Sequence, residues 1–249
     1  MSAVVRCIGM FWLYLASVSF AASAQTQDGL KLIGDVGVAN YRTPAITRSD
    51  QKNNVVLPYV YADYGNWYAR VDTFGYKVAR MGAGHLEFAT RVSFEDYQPA
   101  NVGIERRARP KPLGVGTLQE TPYGAFFLYA FRDTTSGGML LDATYAAEFT
   151  IGNWHFYPQL GLEQRDRKYV GKLYGVDAAE AQRSGLAAYS PKSSTSPNVA
   201  MAAEYPFADH LKLTVQVRKR YLDKPIQDSP LVNAKQQTSG FVAVTKTFE

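Results

Sequence analysis

The sequence predicts an all-β fold: an antiparallel transmembrane β-barrel of about ten strands, preceded by a cleaved signal peptide. Three observations carry this. Apolar and polar residues alternate with period two along most of the chain, the alternating runs mostly span 11–14 residues, and short connections alternate with long ones. Period-two alternation gives a strand one apolar and one polar face. Globular strands usually have ~5–6 residues, whereas strands that cross a bilayer need ~9–11. Short turns at one end and long loops at the other are the pattern of an outer-membrane barrel. A soluble sandwich needs neither the long strands nor the loop asymmetry.

The first element is an address. Arg6 supplies a positive start, Ile8 to Phe20 an apolar stretch, and Ala22-Ser23-Ala24 a small-residue cleavage site. Residues 1–24 are thus expected to leave a barrel domain over residues 25–249. The one cysteine of the chain, Cys7, lies inside this leader, so the expected mature protein has no disulfide, thiolate metal site or cysteine nucleophile.

Ten strands follow, at roughly 30–41, 54–64, 67–80, 85–97, 119–132, 138–150, 153–165, 198–208, 210–222 and 236–248. In the clearest, Leu211, Leu213, Val215 and Val217 alternate with Lys212, Thr214, Gln216 and Arg218. Gly65-Asn66, Ile151-Gly152-Asn153 and Ala208-Asp209 read as tight turns; 42–53, 166–197 and 223–235 read as long loops. Counting back from the C-terminus puts 42–53, 81–84, 133–137, 166–197 and 223–235 outside and 98–118 in the periplasm. The last is long for a periplasmic turn. Either this basic, Pro-rich segment acts there, or two short strands are hidden and the barrel has twelve. Within 166–197, Asp177 with Glu180 three residues on forms a capping-box pattern, and Gly185 ends the short helix.

Composition excludes other classes. Hydrophobic residues make up 46% and aromatic residues 13% of the 249, too many for disorder. Mean hydropathy is −0.22, and after the leader there is no run of ~20 apolar residues, so a helical membrane protein is excluded. Net charge is +5, with both signs mixed along the chain. Only Glu105 to Lys111 is a basic cluster, and no nucleic-acid partner is predicted. Trp67, Tyr68, Trp154, Tyr157, Tyr205, Phe207 and Tyr221 fall near strand ends, where a barrel places its interfacial aromatics.

The polar face of a barrel points inward. It comprises Lys31, Asp35, Arg70, Asp72, Glu87, Arg91, Glu95, Asp142, Glu148, Glu163, Arg165, Glu204, Lys212, Arg218 and Arg220. About eight strands leave an interior just filled by side chains, and ~16 leave a channel. Ten strands therefore predict a plugged or very narrow lumen held by ion pairs; a small-solute pore is the rival. No enzyme is predicted. His85 (outer side), His155 and His210 (periplasmic side) have no nucleophile motif beside them, and Ser93 and Ser136 sit in none. No cofactor or metal ligand set is seen, and Gly114-Val115-Gly116 is not a phosphate loop, since no helix follows.

The run Lys172 to Tyr189 resembles the signature of the MipA/OmpV family, Y-Y-G-V-x-x-x-E-A-x-R-S-G-L-x-x-Y, through Tyr174, Gly175, Val176, Glu180, Arg183, Ser184, Gly185, Leu186 and Tyr189. Leu57 to Tyr61 with Gly65 to Tyr68, and Asp228 to Val232 with Ser239 to Phe241, resemble further family segments in order and spacing. The resemblance spans essentially the whole mature chain. It implies a barrel in the lipid of the cell outer membrane. It also implies a scaffold joining a murein lytic transglycosylase to a penicillin-binding protein; the alternatives are a porin-like channel or a surface adhesion protein. A candidate contact for an enzyme partner is the basic group Arg106, Arg107, Arg109 and Lys111, on the expectation that 98–118 is periplasmic. The C-terminus departs from the usual barrel ending: Glu249 follows Phe248, and Lys246 stands where an aromatic is common.

Overall fold

The computed structural model describes residues 30–47, 54–95 and 102–249; the expected leader lies outside them. Thirteen strand segments form one closed antiparallel sheet. They are β1 (Leu32–Arg42), β2 (Asn54–Tyr64), β3 (Trp67–Arg70), β4 (Thr73–Met81), β5 (Gly84–Arg91), β6 (Pro112–Thr121), β7 (Gly124–Asp133), β8 (Met139–Ala146), β9 (Phe149–Ile151), β10 (Trp154–Arg165), β11 (Ser194–Ala208), β12 (Leu211–Tyr221) and β13 (Gln236–Phe248). Both β8 and β9 pair with β10, so they are one wall strand, interrupted opposite Pro158. That proline has no N–H for the ladder, although its carbonyl still accepts from Ala147 N at 3.0 Å. The wall therefore has twelve strands, and β1 against β13 closes it over nine paired positions from Gly34↔Phe248 to Arg42↔Gly240.

The ten-strand expectation is corrected at two places. Residues 67–80 are not one strand: the chain reverses at Val71-Asp72, because Arg70 pairs with Thr73 and Trp67 with Tyr76. Val71 takes the left-handed region, φ +59°, where a β-branched residue is rare; nothing in Val-Asp signals a turn. The second hidden strand is β6. It opens on a proline and carries Gly114 and Gly116 on its inner face, a composition depleted in strands. Tyr129 needs that emptiness: a Cβ on Gly116 would lie 2.0 Å from its ring.

Twelve strands change which loops share an end. The turns at 65–66, 82–83, 122–123, 152–153 and 209–210 lie at the end where β1 begins and β13 finishes. The strand ends that lead into the connections 43–53, 92–111, 134–138, 166–193 and 222–235 lie at the other. Barrel architecture puts short turns in the periplasm and long loops outside. The basic segment is thus at the outer end rather than the periplasmic one, and 81–84 and His85 are at the periplasmic end rather than the outer one.

The wall's faces follow the predicted alternation. Phe88 (58% exposed) and Leu160 (62%) are among many large apolar side chains that the wall leaves uncovered on its outward face, the band that meets lipid. Trp67 and Tyr76 pack edge to face at 5.0 Å on that side. Tyr68 departs from the expected girdle: it turns inward, is buried, and lies 4.0 Å beneath the Arg70 guanidinium. Lys246 is exposed with its Nζ 5.5 Å from the Phe248 ring centre, which lets its ammonium reach the headgroup level.

Candidate functional site

The outer end carries three short helices, α1 (Arg167–Tyr174), α2 (Ala178–Ser184) and α3 (Lys224–Gln227). α1 starts at Asp166, whose carboxylate accepts from Tyr169 N at 2.8 Å. Its buried side chains Tyr169, Val170, Leu173 and Tyr174 pack with Phe131 and Leu140 from β7 and β8 on one side. Ile46 from the first outer connection, with Leu222 and Ile226 from the last, completes the same cluster. These partners come from opposite arcs of the wall, so α1 bridges the outer mouth. The apolar cluster makes this a packed lid rather than a surface loop.

The family-like motif is the frame of that lid. Asp177 and Glu180 form the predicted capping box: the Asp177 carboxylate accepts from Glu180 N at 2.8 Å and Glu180 accepts from Asp177 N at 3.3 Å. Ser184 Oγ donates to the Glu180 carbonyl at 2.7 Å, and Gly185 closes the helix at φ +73°. Val176 and Tyr189 exchange backbone hydrogen bonds of 2.9 and 2.8 Å. Tyr189 then donates to the Pro225 carbonyl at 3.0 Å, and the Tyr174 carbonyl accepts from Ser229 Oγ at 2.7 Å. Leu186 and Tyr189 pack on a second small core of Ile104, Val176 and Leu231.

The two groups singled out from sequence meet here. Arg107 is buried and donates twice to Glu180, at 2.6 and 2.7 Å, and once to the Gly175 carbonyl at 3.0 Å. Glu105 N also donates to Glu180, at 3.0 Å, and Arg183 pairs with Glu105 at 3.2 Å. Burial opposes charge on Glu180. The hydrogen bonds from Arg107 and from the Glu105 and Asp177 amides outweigh it and hold the carboxyl down to about 2. The expected contact role does not fit Arg107, which is spent inside the lid. Arg106, Arg109 and Lys111 are exposed, but at the outer end.

Beneath the lid the lumen charges pair in layers. Glu95 and Glu163 are shared by Arg165 and Arg220 at 2.6–3.1 Å. Arg91 meets Asp142 at 2.6 Å. Arg70 grips Glu87 with two bonds of 2.9 Å and also meets Tyr129 Oη at 2.9 Å. Lys212 reaches Asp35 at 3.1 Å. Cavities among these layers include one of about 290 Å³ in the upper lumen and one of about 190 Å³ toward the periplasmic end. Tyr61 and Arg70 line both and form the partition between them. Ser136 Oγ is occupied by Asp133. Among the described residues no group of His, Cys, Asp and Glu is arranged to hold a metal ion.

Sequence reading missed the Arg107–Glu180 latch, although both residues stood out separately. They are 73 positions apart, and no local pattern pairs residues at that separation.

The model of the family described as MltA-interacting protein MipA matches residues 36–248. YiaT of Escherichia coli K12, named as an outer membrane protein, is 24% identical over 242 residues, covering 94% of this chain and 96% of its own. The MltA-interacting protein of the same strain is 27% identical over 132 residues, 52% of this chain and 53% of its own. Among solved structures, the outer membrane channel DcaP of Acinetobacter baumannii aligns over 88% of this chain and 97% of its own, with 9% identity and a TM-score of 0.38.

Proposed function

The chain belongs to the MltA-interacting protein MipA family, and from that membership we propose that it is a closed outer-membrane scaffold, not a conducting pore, that docks a murein lytic transglycosylase of the MltA kind. The observation that carries the reading is the lumen itself. Ion-paired layers cross it, and a lid with its own apolar core packs over its outer mouth. The relative named for interaction with MltA supports the partner class.

Docking of a periplasmic enzyme falls to the short-turn end. That end carries Asp63, Glu120, Glu148, Glu204, Asp209 and Glu249 with Lys31, Lys77, Arg80, Lys212 and Lys246; of these, Glu120 and Asp209 are exposed carboxylates beside the turns, which a basic group on the partner can meet. The test uses purified protein in detergent micelles with an MltA-type transglycosylase. Binding is expected for the wild type and for an outer-end variant carrying Arg106→Glu and Lys111→Glu. It is expected to weaken about tenfold in the short-turn variant Glu120→Lys with Asp209→Lys, as charge complementarity at an interface allows. Absence of binding to the wild type, or equal binding by both variants, overturns the docking. Single-channel steps from the wild type in a planar bilayer would overturn the closed barrel.

A further inference from the structure

Five arginines line the upper cavity: Arg70, Arg91, Arg165, Arg218 and Arg220. Four of them meet carboxylates at 3.1 Å or less. Arg218 differs. Among the described residues it has no carboxylate within ion-pair distance; its Nε, like those of Arg165 and Arg220, is buried without a hydrogen-bond partner. A guanidinium held in a lumen this rich in carboxylates, yet given none, has donors to spare for an anion.

Its neighbours keep the space in front of it open. Across the ladders Arg218 faces Ala200 on β11 and Ser239 on β13, both small. Two residues from Ala200 along the same inner face stands Asn198, whose Oδ1 is likewise buried and unpartnered. Asn198 fits there because Gly161 opposite has no side chain; a Cβ would lie 2.5 Å from the Asn198 amide. Arg218 and Asn198 thus line the same cavity from diagonal positions of the β11–β12 ladder, with Arg220 directly opposite Asn198. The guanidinium fork matches a carboxylate, which accepts two parallel N–H bonds. The Asn198 acceptor matches an N–H or O–H.

We propose that the upper lumen cavity is a binding site for a small solute with a carboxylate and an adjacent amino or hydroxyl donor, its carboxylate on Arg218 and its donor on Asn198. The cavity, at about 290 Å³, has room for such a solute with its hydration waters. The lower cavity, lined by Asp63, Lys77, His85 and Glu120, leads toward it from the periplasmic end. There Tyr61 and Arg70 stand between the two cavities. Arg70 is held there by Glu87 and Tyr129. The site holds a solute and carries out no reaction on it.

The test is saturation-transfer NMR with titration on the full barrel in micelles. The probes are L-lactate and L-alanine, with isobutyrate (a carboxylate without the donor) and glycerol (a donor without the carboxylate) as controls. Saturable binding of lactate and alanine is expected, at least fivefold tighter than isobutyrate, with none for glycerol. Arg218→Met should weaken it at least tenfold, and Arg218→Lys should restore part of the loss. Asn198→Asp puts a carboxylate directly opposite Arg220 and diagonal to Arg218, in place of the acceptor the solute's donor would use and against its carboxylate, and should abolish binding in a barrel that still folds, as judged by its heat-modifiable gel mobility. Unsaturable probes, equal binding of isobutyrate and lactate, or unchanged binding in Arg218→Met or Asn198→Asp would each overturn the proposal.

Discussion

At the periplasmic end the wall strands are joined by tight turns such as Gly65-Asn66 and Gly152-Asn153, and hydrogen-bond ladders hold that end together. At the outer end the same wall carries long connections that fold into helices, two small apolar cores and a buried ion pair. The turns are specified by adjacent residues: positive φ at Gly65, Gly82 and Gly152 is what a tight reversal needs. The lid is specified by residues far apart in the chain. Its side chains must all be present together, because a helix of seven or eight residues is unstable alone. Local sequence can therefore shape one end, while only cooperative packing shapes the other.

The sharpest way to break this contrast is to remove the latch. Glu180→Ala leaves Arg107 buried without its partner, a loss of about 3–5 kcal/mol from the lid. Hydrogen exchange over residues 175–190 should rise steeply, while the ladders of β1 and β13 keep their protection. If exchange spread evenly over both ends, the lid would not be a separate unit.

Acid does the same without a mutation. Folding lowers the Glu180 carboxyl from its ordinary 4.5 to about 2. The lid therefore keeps the full contribution of that charge above pH ~4.5, the ordinary carboxylate range, and loses it progressively as pH falls toward 2. Lid exchange, corrected for intrinsic rate, should be flat from pH 8 to 5 and increase below that. A change centred near pH 6.5 would point to a histidine instead.

Within the wall the effects are smaller. Gly116→Ala drives a methyl into the Tyr129 ring and so disturbs the Arg70–Glu87–Tyr129 layer. Overpacking of this kind costs about 1–3 kcal/mol, to be read as a lower urea midpoint for unfolding in micelles. The smallest effect belongs to the periplasmic end. Gly152→Ala meets no atom within 4 Å, and only its φ of +59° resists a side chain, at a cost of about 1 kcal/mol. The same urea assay should rank these two in that order.

How much was legible varies by element. β12 was read nearly to the residue, because its alternation is uninterrupted and both faces are needed, one for lipid and one for the lumen. The capping box of Asp177 and Glu180 was legible because its partners are three residues apart. β3 and β4 were fused into one strand because the reversal uses Val71-Asp72, where no glycine, asparagine or proline announces it. β6 was passed over because Gly114 and Gly116 leave its inner face empty for Tyr129. Those two misses placed the basic segment at the wrong end, since each hidden strand reverses the side of every connection between it and the other. The ionic character of the lumen was anticipated; the partner of each charge was not.

The sequence by itself determined that this chain crosses a membrane as strands, which face of each strand meets lipid, and where most strands turn. These follow from period, run length and turn chemistry, all properties of neighbouring residues. Only the tertiary structure decided that the barrel has twelve strands, that the outer mouth is covered, and that Arg107 serves Glu180 while Arg218 has no carboxylate within ion-pair distance among the described residues. Closure brings together residues from opposite arcs of the wall. In a low-dielectric interior the interaction of a charge with its partner is strong and depends on the geometry that closure delivers, and no local pattern records which partner that will be.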